Sequence, residues 1–529
     1  MSEPWVCFED EHLLVVAKPA GVTTHRADRF AQDGMYEWVQ RQRPTDRMSI
    51  LHRLDKATSG LLLFGKTTDA NRSLAAQFEG RSLAKRYELL VARDDERPPQ
   101  LRCEQPVAGT SHGTSLGAEA TTDFELSATG PTLQRYTARP QSGRTHQVRI
   151  HAAALGMPIL GDAEHGGLAA SRLFLHAAGL RFEHPVIGEV ELEVDPPPSF
   201  ERVLAASRGE RPTDPVIAAQ TALESRRLLL DPVDTDAFLW IDRHHDGLPD
   251  TRVERLGAVA LIVRYGDAPS PSPEVWKETL REVGDVAAIF EQRRPKGGGG
   301  ELPQLVSGTH SPRFEVRELG CRYLIDLEAS PTSTGLFLDQ RETRRELLRG
   351  DLAGQTVLNA FAHTGSLSVA AALAGATTLS LDLSKHYLAW AADNLRLNDL
   401  DPADHDVIYG DAMEWMERFA KKGRTFDVVL VDPPSSSTPR RRGGARWIAD
   451  RDLHGLVERA ARLCVEGGRL YVSTNLRRMT WPGFVDHIER GLTAAARTGT
   501  VEPRTLPLDH RSGPGDPPYL KAAWIHLDR

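Results

Sequence analysis

The chain has 529 residues, of which 40% are hydrophobic and 26% charged, with four cysteines and a net charge of −8. That length is too great for one hydrophobic core, and at roughly 100–200 residues per domain it predicts three or four units. No apolar run approaches the roughly 18 residues that span a bilayer. The opening Met1-Ser2-Glu3-Pro4-Trp5 lacks a secretory pattern, and Cys7, Cys103, Cys321 and Cys464 are too scattered for a zinc site or a disulfide framework. A soluble cytoplasmic protein with no metal is expected, and its acidic balance argues against nonspecific coating of nucleic acid.

From Trp5 to about Glu193, β-type runs such as Leu13 to Val16 and Tyr87 to Val91 alternate with Gly and Pro punctuation. They predict an α+β domain with a mainly antiparallel sheet, assigned to residues 1–205. Residues 206–234 are polar and Pro-bearing around an expected helix, Val216 to Leu230, and read as a linker. Residues 235–330 form a small α+β unit interrupted by a flexible Gly297 to Gly300 loop. After Arg341 strand and helix alternate: an Arg- and Leu-rich helix, a strand at Thr356 to Leu358, a helix over Leu367 to Leu373, a strand at Thr378 to Leu381 and a helix over Lys385 to Leu397. With the continuously apolar Phe426 to Val431, this predicts a Rossmann-like α/β domain over 331–529, its parallel sheet covered on both faces.

The segment Ser49-Ile50-Leu51-His52-Arg53-Leu54-Asp55-Lys56-Ala57-Thr58-Ser59-Gly60-Leu61-Leu62-Leu63-Phe64 sets a charged triplet between two strand-like runs. Alone, Asp55 would be a turn cap. In order with it, however, come Glu9 to Val22, Ala84-Lys85-Arg86-Tyr87-Glu88, and Ser142-Gly143-Arg144-Thr145-His146-Gln147-Val148-Arg149-Ile150-His151 with Leu155 to Asp162. Together these stretches resemble the RluA-type pseudouridine synthases over roughly the first 190 residues. The resemblance implies a cofactor-free isomerase with Asp55 as the carboxylate acting at the sugar. It also implies that Tyr87 packs on the flipped base and that Arg149 pairs with Asp55. Arg53 is read either as filling the space the nucleotide leaves or as a structural salt bridge, and His52, His146 and His151 as packing or hydrogen-bonding residues.

A second constellation begins at Val357-Leu358-Asn359-Ala360-Phe361-Ala362-His363-Thr364-Gly365-Ser366, a strand end, a small-residue turn and a helix start. Gly-x-Gly-x-x-Gly is absent, which disfavours a dehydrogenase. Asp382 ends the next strand, suited to ribose hydroxyls; Asp411 follows a third, suited to an adenine amino group; Asp432-Pro433-Pro434 ends a fourth. With Gly335-Leu336-Phe337-Leu338-Asp339-Gln340-Arg341 and Leu388 to Asn398, the set resembles class I S-adenosylmethionine methyltransferases of the RlmI and RlmK ribosomal RNA type, from about residue 235 to the end. The resemblance implies S-adenosylmethionine held by Gln340, Arg341, Asn359, Phe361, His363, Thr364, Gly365, Asp382, Asp411 and Asp432. It places the methyl-acceptor site at Asp432, Pro433, Pro434 and Asn475, and makes residues 235–330 an RNA-substrate domain. A fragment starting near residue 235 is expected to bind the donor, since its sheet needs no strand from the first domain.

C5-cytosine relatives carry a cysteine where this chain has Asn475, so the reading favours a nitrogen acceptor, guanine N7 first, over cytosine C5. Serines follow Asp432-Pro433-Pro434 where relatives place a stacking aromatic. The basic run Arg440, Arg441, Arg442 and Arg446, followed by Trp447, is assigned to RNA. Ribosomal RNA is the expected partner. A transfer-RNA enzyme, or one domain surviving only as an RNA-binding module, are the alternatives.

Overall fold

The computed structural model describes residues 5–27, 31, 33–43, 48–107, 118–205, 214–228, 230, 233–246, 248, 250–266, 273–295, 300–435, 447–504, 506–510 and 518–529. The first sheet has ten described strands, whose main path runs Val6–Glu9, Leu13–Lys18, Ser59–Gly65, Leu175–His184, Ala84–Ala92, Leu133–Pro140, Thr122–Thr129, Gln100–Cys103. Its pairs are antiparallel except Ser59–Gly65 against Leu175–His184. Leu13–Lys18 and Ser59–Gly65 are buried along their whole length, with Trp38 and Met35 packed on one side and Leu74 and Leu83 on the other. Gly60 explains one feature of the Asp55 segment: at φ +119 it lets the strand meet Ala177, whose carbonyl would lie 2.2 Å from any Cβ.

The expected linker contains packed structure. Pro215–Arg227 is a helix capped by Asp214, and its Ile217 joins the first domain's core beside Phe174 and Phe200. Ala218, Ala219, Ala222 and Leu223 enter a different core with Trp240 and Trp276. Short alanine side chains allow that close double contact, and they are also why the segment reads as weakly amphipathic in the sequence. The loop at Gly297 to Gly299 lies outside the described residues.

Residues 237–308 fold as a five-stranded sheet in chain order, Ala237–Asp242, Thr251–Leu256, Val259–Tyr265, Ala288–Arg294 and Gln304–Gly308, with one parallel pair joined by the helix Pro273–Gly284. A hairpin, Arg313–Glu318 with Cys321–Asp326, then leads into the last sheet. That sheet is ordered Asp406–Tyr409, Thr377–Asp382, Thr356–Ala360, Phe426–Val431, Cys464–Thr474, Lys521–Leu527, Gly499–Arg504. Only Lys521–Leu527 runs antiparallel to its neighbours. Parallel strands bring Ala360, Asp382 and Val431 to one edge, where a doubly wound sheet opens its ligand crevice.

A chain of buried ions joins these parts. Arg226 on the linker helix is bidentate to Asp246, at 2.9 and 2.7 Å, and donates to the carbonyls of Leu239 and Asp509. Asp509 accepts from Arg341 at 2.7 Å and from the Leu239 amide at 2.9 Å. Arg341 and Arg344 share Glu318 in the hairpin, at 3.1 and 2.5 Å. Next to Asp509, Leu508 inserts among Trp5, Leu14 and Trp38 of the first domain. On the neighbouring surface Arg349 donates to Gln42 at 2.8 Å.

Arg226→Ala removes both guanidinium bonds to Asp246 and those to two buried carbonyls, and is expected to lower unfolding free energy by about 3–5 kcal/mol in a denaturant titration. The expectation of an independent fragment from residue 235 is revised accordingly. Such a fragment lacks Arg226 and should unfold at lower denaturant than one starting at 214; equal midpoints would show that the helix contributes nothing.

Candidate functional sites

The segment between Ser49–Ile50 and Ser59–Gly65 brings Asp55 to a cleft of about 1050 Å³, which Tyr87, Arg53, His146 and Arg149 also line. Arg149 is held from behind. Its Nε and one terminal nitrogen grip Asp162 at 2.9 and 2.7 Å, and that nitrogen also reaches Glu164 at 2.7 Å. The other terminal nitrogen faces Asp55 at 3.6 Å. Burial works against the Arg149 charge, but Asp162 and Glu164 outweigh it and raise its pKa, so Asp55 always meets a cation. The Tyr87 hydroxyl is pushed up by burial and by the Asp55 charge; the ring serves as a neutral wall.

The three histidines divide. His52 stacks on Phe78 and accepts from the Leu63 amide at 3.1 Å, while burial, with Lys85 nearby, lowers its pKa to about 3. His151 is tied by both nitrogens to Thr122 and the Gln105 carbonyl, each at 2.8 Å. His146, at φ 55, packs edge-on against His165 and points Nε2 towards Asp55 and Nδ1 towards Glu164, each at 3.6 Å. Arg53 is exposed on the cleft wall with no ion pair among the described residues, against the salt-bridge alternative. Asp162, Glu164 and His165 stand close enough to hold a cation. Arg149 already donates to both carboxylates, which fits an internal counter-ion.

The second site is a cavity of about 300 Å³ at the carboxyl edge of the parallel strands, lined by Gln340, Asn359, Phe361, His363, Asp382, Asp432, Pro433, Pro434 and Asn475. Asp382 is oriented by the amides of His363 and Ser384, at 2.9 and 2.8 Å. The turn carrying His363 has positive φ at Phe361, His363 and Gly365. Gly365 is required there, because a Cβ would lie 2.7 Å from that of Ala391. The Gln340 carbonyl oxygen accepts from Thr343 and Tyr471, at 2.8 and 2.7 Å, which leaves its amide to donate to Asp432 at 3.0 Å. Ser473 donates to the other Asp432 oxygen at 2.5 Å. Burial raises the Asp432 carboxyl to about 6 against these two hydrogen bonds.

Four expected cofactor residues sit elsewhere. Arg341 is wholly buried in the ion chain and does not line the cavity; next to Gln340 in sequence, it turns instead to Glu318 and Asp509. Asp411 caps the following helix through the Glu414 amide at 3.1 Å, while its neighbours Gly410 and Ala412 line the space. Thr364 is buried on the Gly335 carbonyl at 2.5 Å, and Gly365 shapes the turn from below. Asn359 reaches the cavity but spends its amide on Ser368 at 2.9 Å. Phe337, Asp339, Tyr387 and Leu520 line the cavity without having been singled out, although Phe337 and Asp339 lie within the quoted Gly335 to Arg341 motif. Trp447 stands beside the acceptor edge, its indole donating to the Pro434 carbonyl at 2.9 Å. Arg440, Arg441, Arg442 and Arg446 lie outside the described residues.

The cavity suits an adenosyl donor. Asp382 is fixed at a strand end, Phe337 and Tyr387 flank the His363 ring at 4.9 and 4.2 Å, and His363 Nε2 is buried without a partner among the described residues. No described helix is long and apolar enough to cross a membrane.

An Asp-centred cleft on an antiparallel sheet and a cavity at the edge of a parallel one give the chain two separate candidate sites. Residues 12–154 match the RNA pseudouridylate synthase family, and residues 292–495 the S-adenosylmethionine-dependent methyltransferases. The chain thus joins a pseudouridine synthase domain to a methyltransferase domain whose cofactor is S-adenosylmethionine. A ribosomal RNA large subunit methyltransferase K/L from Allochromatium vinosum is 36% identical over 266 residues, which are 48% of this chain and 34% of that protein. The chain therefore spans about a third of that relative's length. YwbD of Bacillus subtilis, provisionally named a ribosomal RNA large subunit methyltransferase, is 29% identical over 58% of this chain and 78% of its own. A methyltransferase-type crystal structure complexed with SAH shares the fold over 66% of this chain and 88% of its own, with TM-score 0.53 and 24% identity.

The Asp432 value predicts a pH effect. Its carboxyl is ionised above about 6, and with S-adenosylmethionine held beside it the carboxylate would attract the cationic sulfonium, an attraction that protonation would remove. Affinity for S-adenosylmethionine should fall several-fold from about pH 7.5 to about pH 5, and that for the uncharged sulfide product much less. Parallel titrations of the two ligands by calorimetry measure the difference, and Asp432→Asn should abolish it.

Proposed function

We propose that the chain is a bifunctional RNA-modifying enzyme, which isomerises a uridine to pseudouridine and methylates a base nitrogen in large-subunit ribosomal RNA. The observation that carries the first activity is the position of Asp55, in a cleft able to take a flipped nucleotide, with a fixed cation 3.6 Å away and Tyr87 as a wall. During isomerisation the bond from the uracil nitrogen to the sugar breaks, and one from C5 to the same sugar carbon forms. The C5 proton leaves and the freed nitrogen gains one, so no cofactor is consumed. Asp55 acts at the sugar, Arg149 orients it from 3.6 Å, and Tyr87 holds the base.

The second activity rests on the donor cavity, and the names of the relatives support ribosomal RNA as substrate. Such a substrate places the enzyme in the cytoplasm. Residues 235–330, Trp447 and the Arg440, Arg441, Arg442 and Arg446 run belong to RNA binding in this reading. A nitrogen acceptor is favoured because no cysteine lines the cavity. Cys464 is buried, donates to the Ala460 carbonyl at 3.5 Å, and has its thiol pushed up to about 12 by burial, so it supplies no thiolate. At the rim stands Asn475, accepting from Ser435. A lone pair such as that of guanine N7 needs alignment with the methyl group and no covalent help.

Asp55→Ala should abolish pseudouridine formation on a ribosomal RNA transcript while leaving methyl incorporation within about twofold of wild type. Loss of both activities, or of neither, would remove Asp55 from this role. Replacing all four cysteines by Ala or Ser should preserve methylation, apart from packing losses of about 1 kcal/mol per buried site. 5-Fluorocytosine RNA should leave no covalent complex on a denaturing gel. Recovery of 5-methylcytidine would contradict the nitrogen assignment.

A further inference from the structure

Beside the donor cavity, two positive charges lie together, and neither is paired with a carboxylate among the described residues. Lys521 is wholly buried, and among the described residues its ammonium donates to carbonyls alone, those of Leu476 and Tyr519 at 3.1 and 3.2 Å. Burial, and then the nearby Arg477 charge, lower its pKa. Arg477 itself is exposed and has no ion pair or hydrogen bond among the described residues. Its guanidinium rests over the Tyr519 ring, 5.7 Å from the centroid. Tyr519 is pinned in turn, its hydroxyl donating to Asp339 at 2.9 Å, so that carboxylate is engaged with the phenol. The next residue, Arg478, is different: it pairs with Asp450 at 3.2 Å.

The arrangement is rigid and electrostatically incomplete. Lys521 staples the 474–477 turn to the 519–521 turn, and Tyr519 gives Arg477 a flat support, so the guanidinium is oriented before any ligand arrives. The buried Lys521 charge and the exposed Arg477 charge repel, and a bound anion would relieve that repulsion. The site sits at the cavity mouth, since Asn475, two residues before Arg477, and Leu520, next to Tyr519, both line the cavity.

Building on the proposal that this domain methylates RNA, we infer that Arg477, supported by Tyr519 and Lys521, binds a backbone phosphate of the RNA strand beside the target nucleotide. The contact fixes the register of the strand, so that the acceptor base enters between Asn475 and Asp432. It carries no base preference of its own.

The test is methyl transfer to a ribosomal RNA transcript by the full chain, measured across a range of salt concentrations for wild type, Arg477→Ala, Arg477→Lys and Arg478→Ala. Arg477→Ala should raise the RNA KM about tenfold and reduce the slope of log affinity against log salt by about 1. Affinity for S-adenosylmethionine by calorimetry should stay unchanged, which also reports an intact fold. Arg477→Lys should keep the slope, and Arg478→Ala should resemble wild type. An unaltered KM and slope in Arg477→Ala would overturn the inference, as would a lost donor affinity, which would make the residue structural. If the wild-type chain methylates no RNA, the functional proposal itself fails, whatever the variants do.

Discussion

The buried run of ions from Arg226 through Asp509 and Arg341 to Glu318 and Arg344 is the constraint on which the architecture depends. Removing such charges from water costs several kcal/mol each, and only complete pairing offsets that cost. Here pairing is dense: Arg341 meets Glu318, Asp509 and the Ala237 carbonyl, while Arg344 meets Glu318, Ser366 and the Phe337 carbonyl. Burial opposes ionisation of Asp509, yet Arg341 and His510 hold its carboxyl well below the usual range. The gain is orientation. Five segments distant in sequence fit together in one way, and Phe337 and Ser366 at the end of the run are walls of the donor cavity.

That constraint also joins the two modules. Leu508 is buried in the first domain while its neighbour Asp509 completes the ion run, and the helix Pro215–Arg227 feeds one residue into one core and four into the next. Each active site is nevertheless built from its own elements. Asp55 works half-exposed against an arginine whose other nitrogens are occupied. Asp432 is deeper, its charge opposed by burial and sustained by Gln340 and Ser473. One carboxylate thus faces a fixed cation in an open cleft, and the other is buried between two hydrogen-bond donors, where burial raises its pKa.

Much of this was legible because some patterns admit one physical reading. Alternation of strand and helix after Arg341, and the strand-end position of Asp382, led directly to the parallel sheet and its crevice. The order of the Asp55, Tyr87 and Arg149 segments anticipated their meeting in one cleft. Other features were not legible, for stated reasons. Arg341 and Gln340 are adjacent in sequence, and adjacency does not tell that Gln340 lines the cavity while Arg341 turns to Asp509. An Asp after a strand serves equally as a ligand group or as a helix cap, and Asp411 is the cap. Asn394 and Asn398, quoted as part of a recognition motif, hold the backbone of the 313–326 hairpin through Leu324 and Arg322. Arg226 to Asp509 spans 283 positions, and nothing local announces it.

The account's central claim is that one chain carries two independent RNA-modifying sites. Nucleoside mass spectrometry of large-subunit ribosomal RNA, from cells with and without the gene, tests it most directly. The account predicts that deletion removes one pseudouridine and one base methylated on nitrogen, each restored by the wild-type gene. An unchanged nucleoside profile in ribosomal RNA, or loss of a C5-methylated cytosine instead, would contradict it.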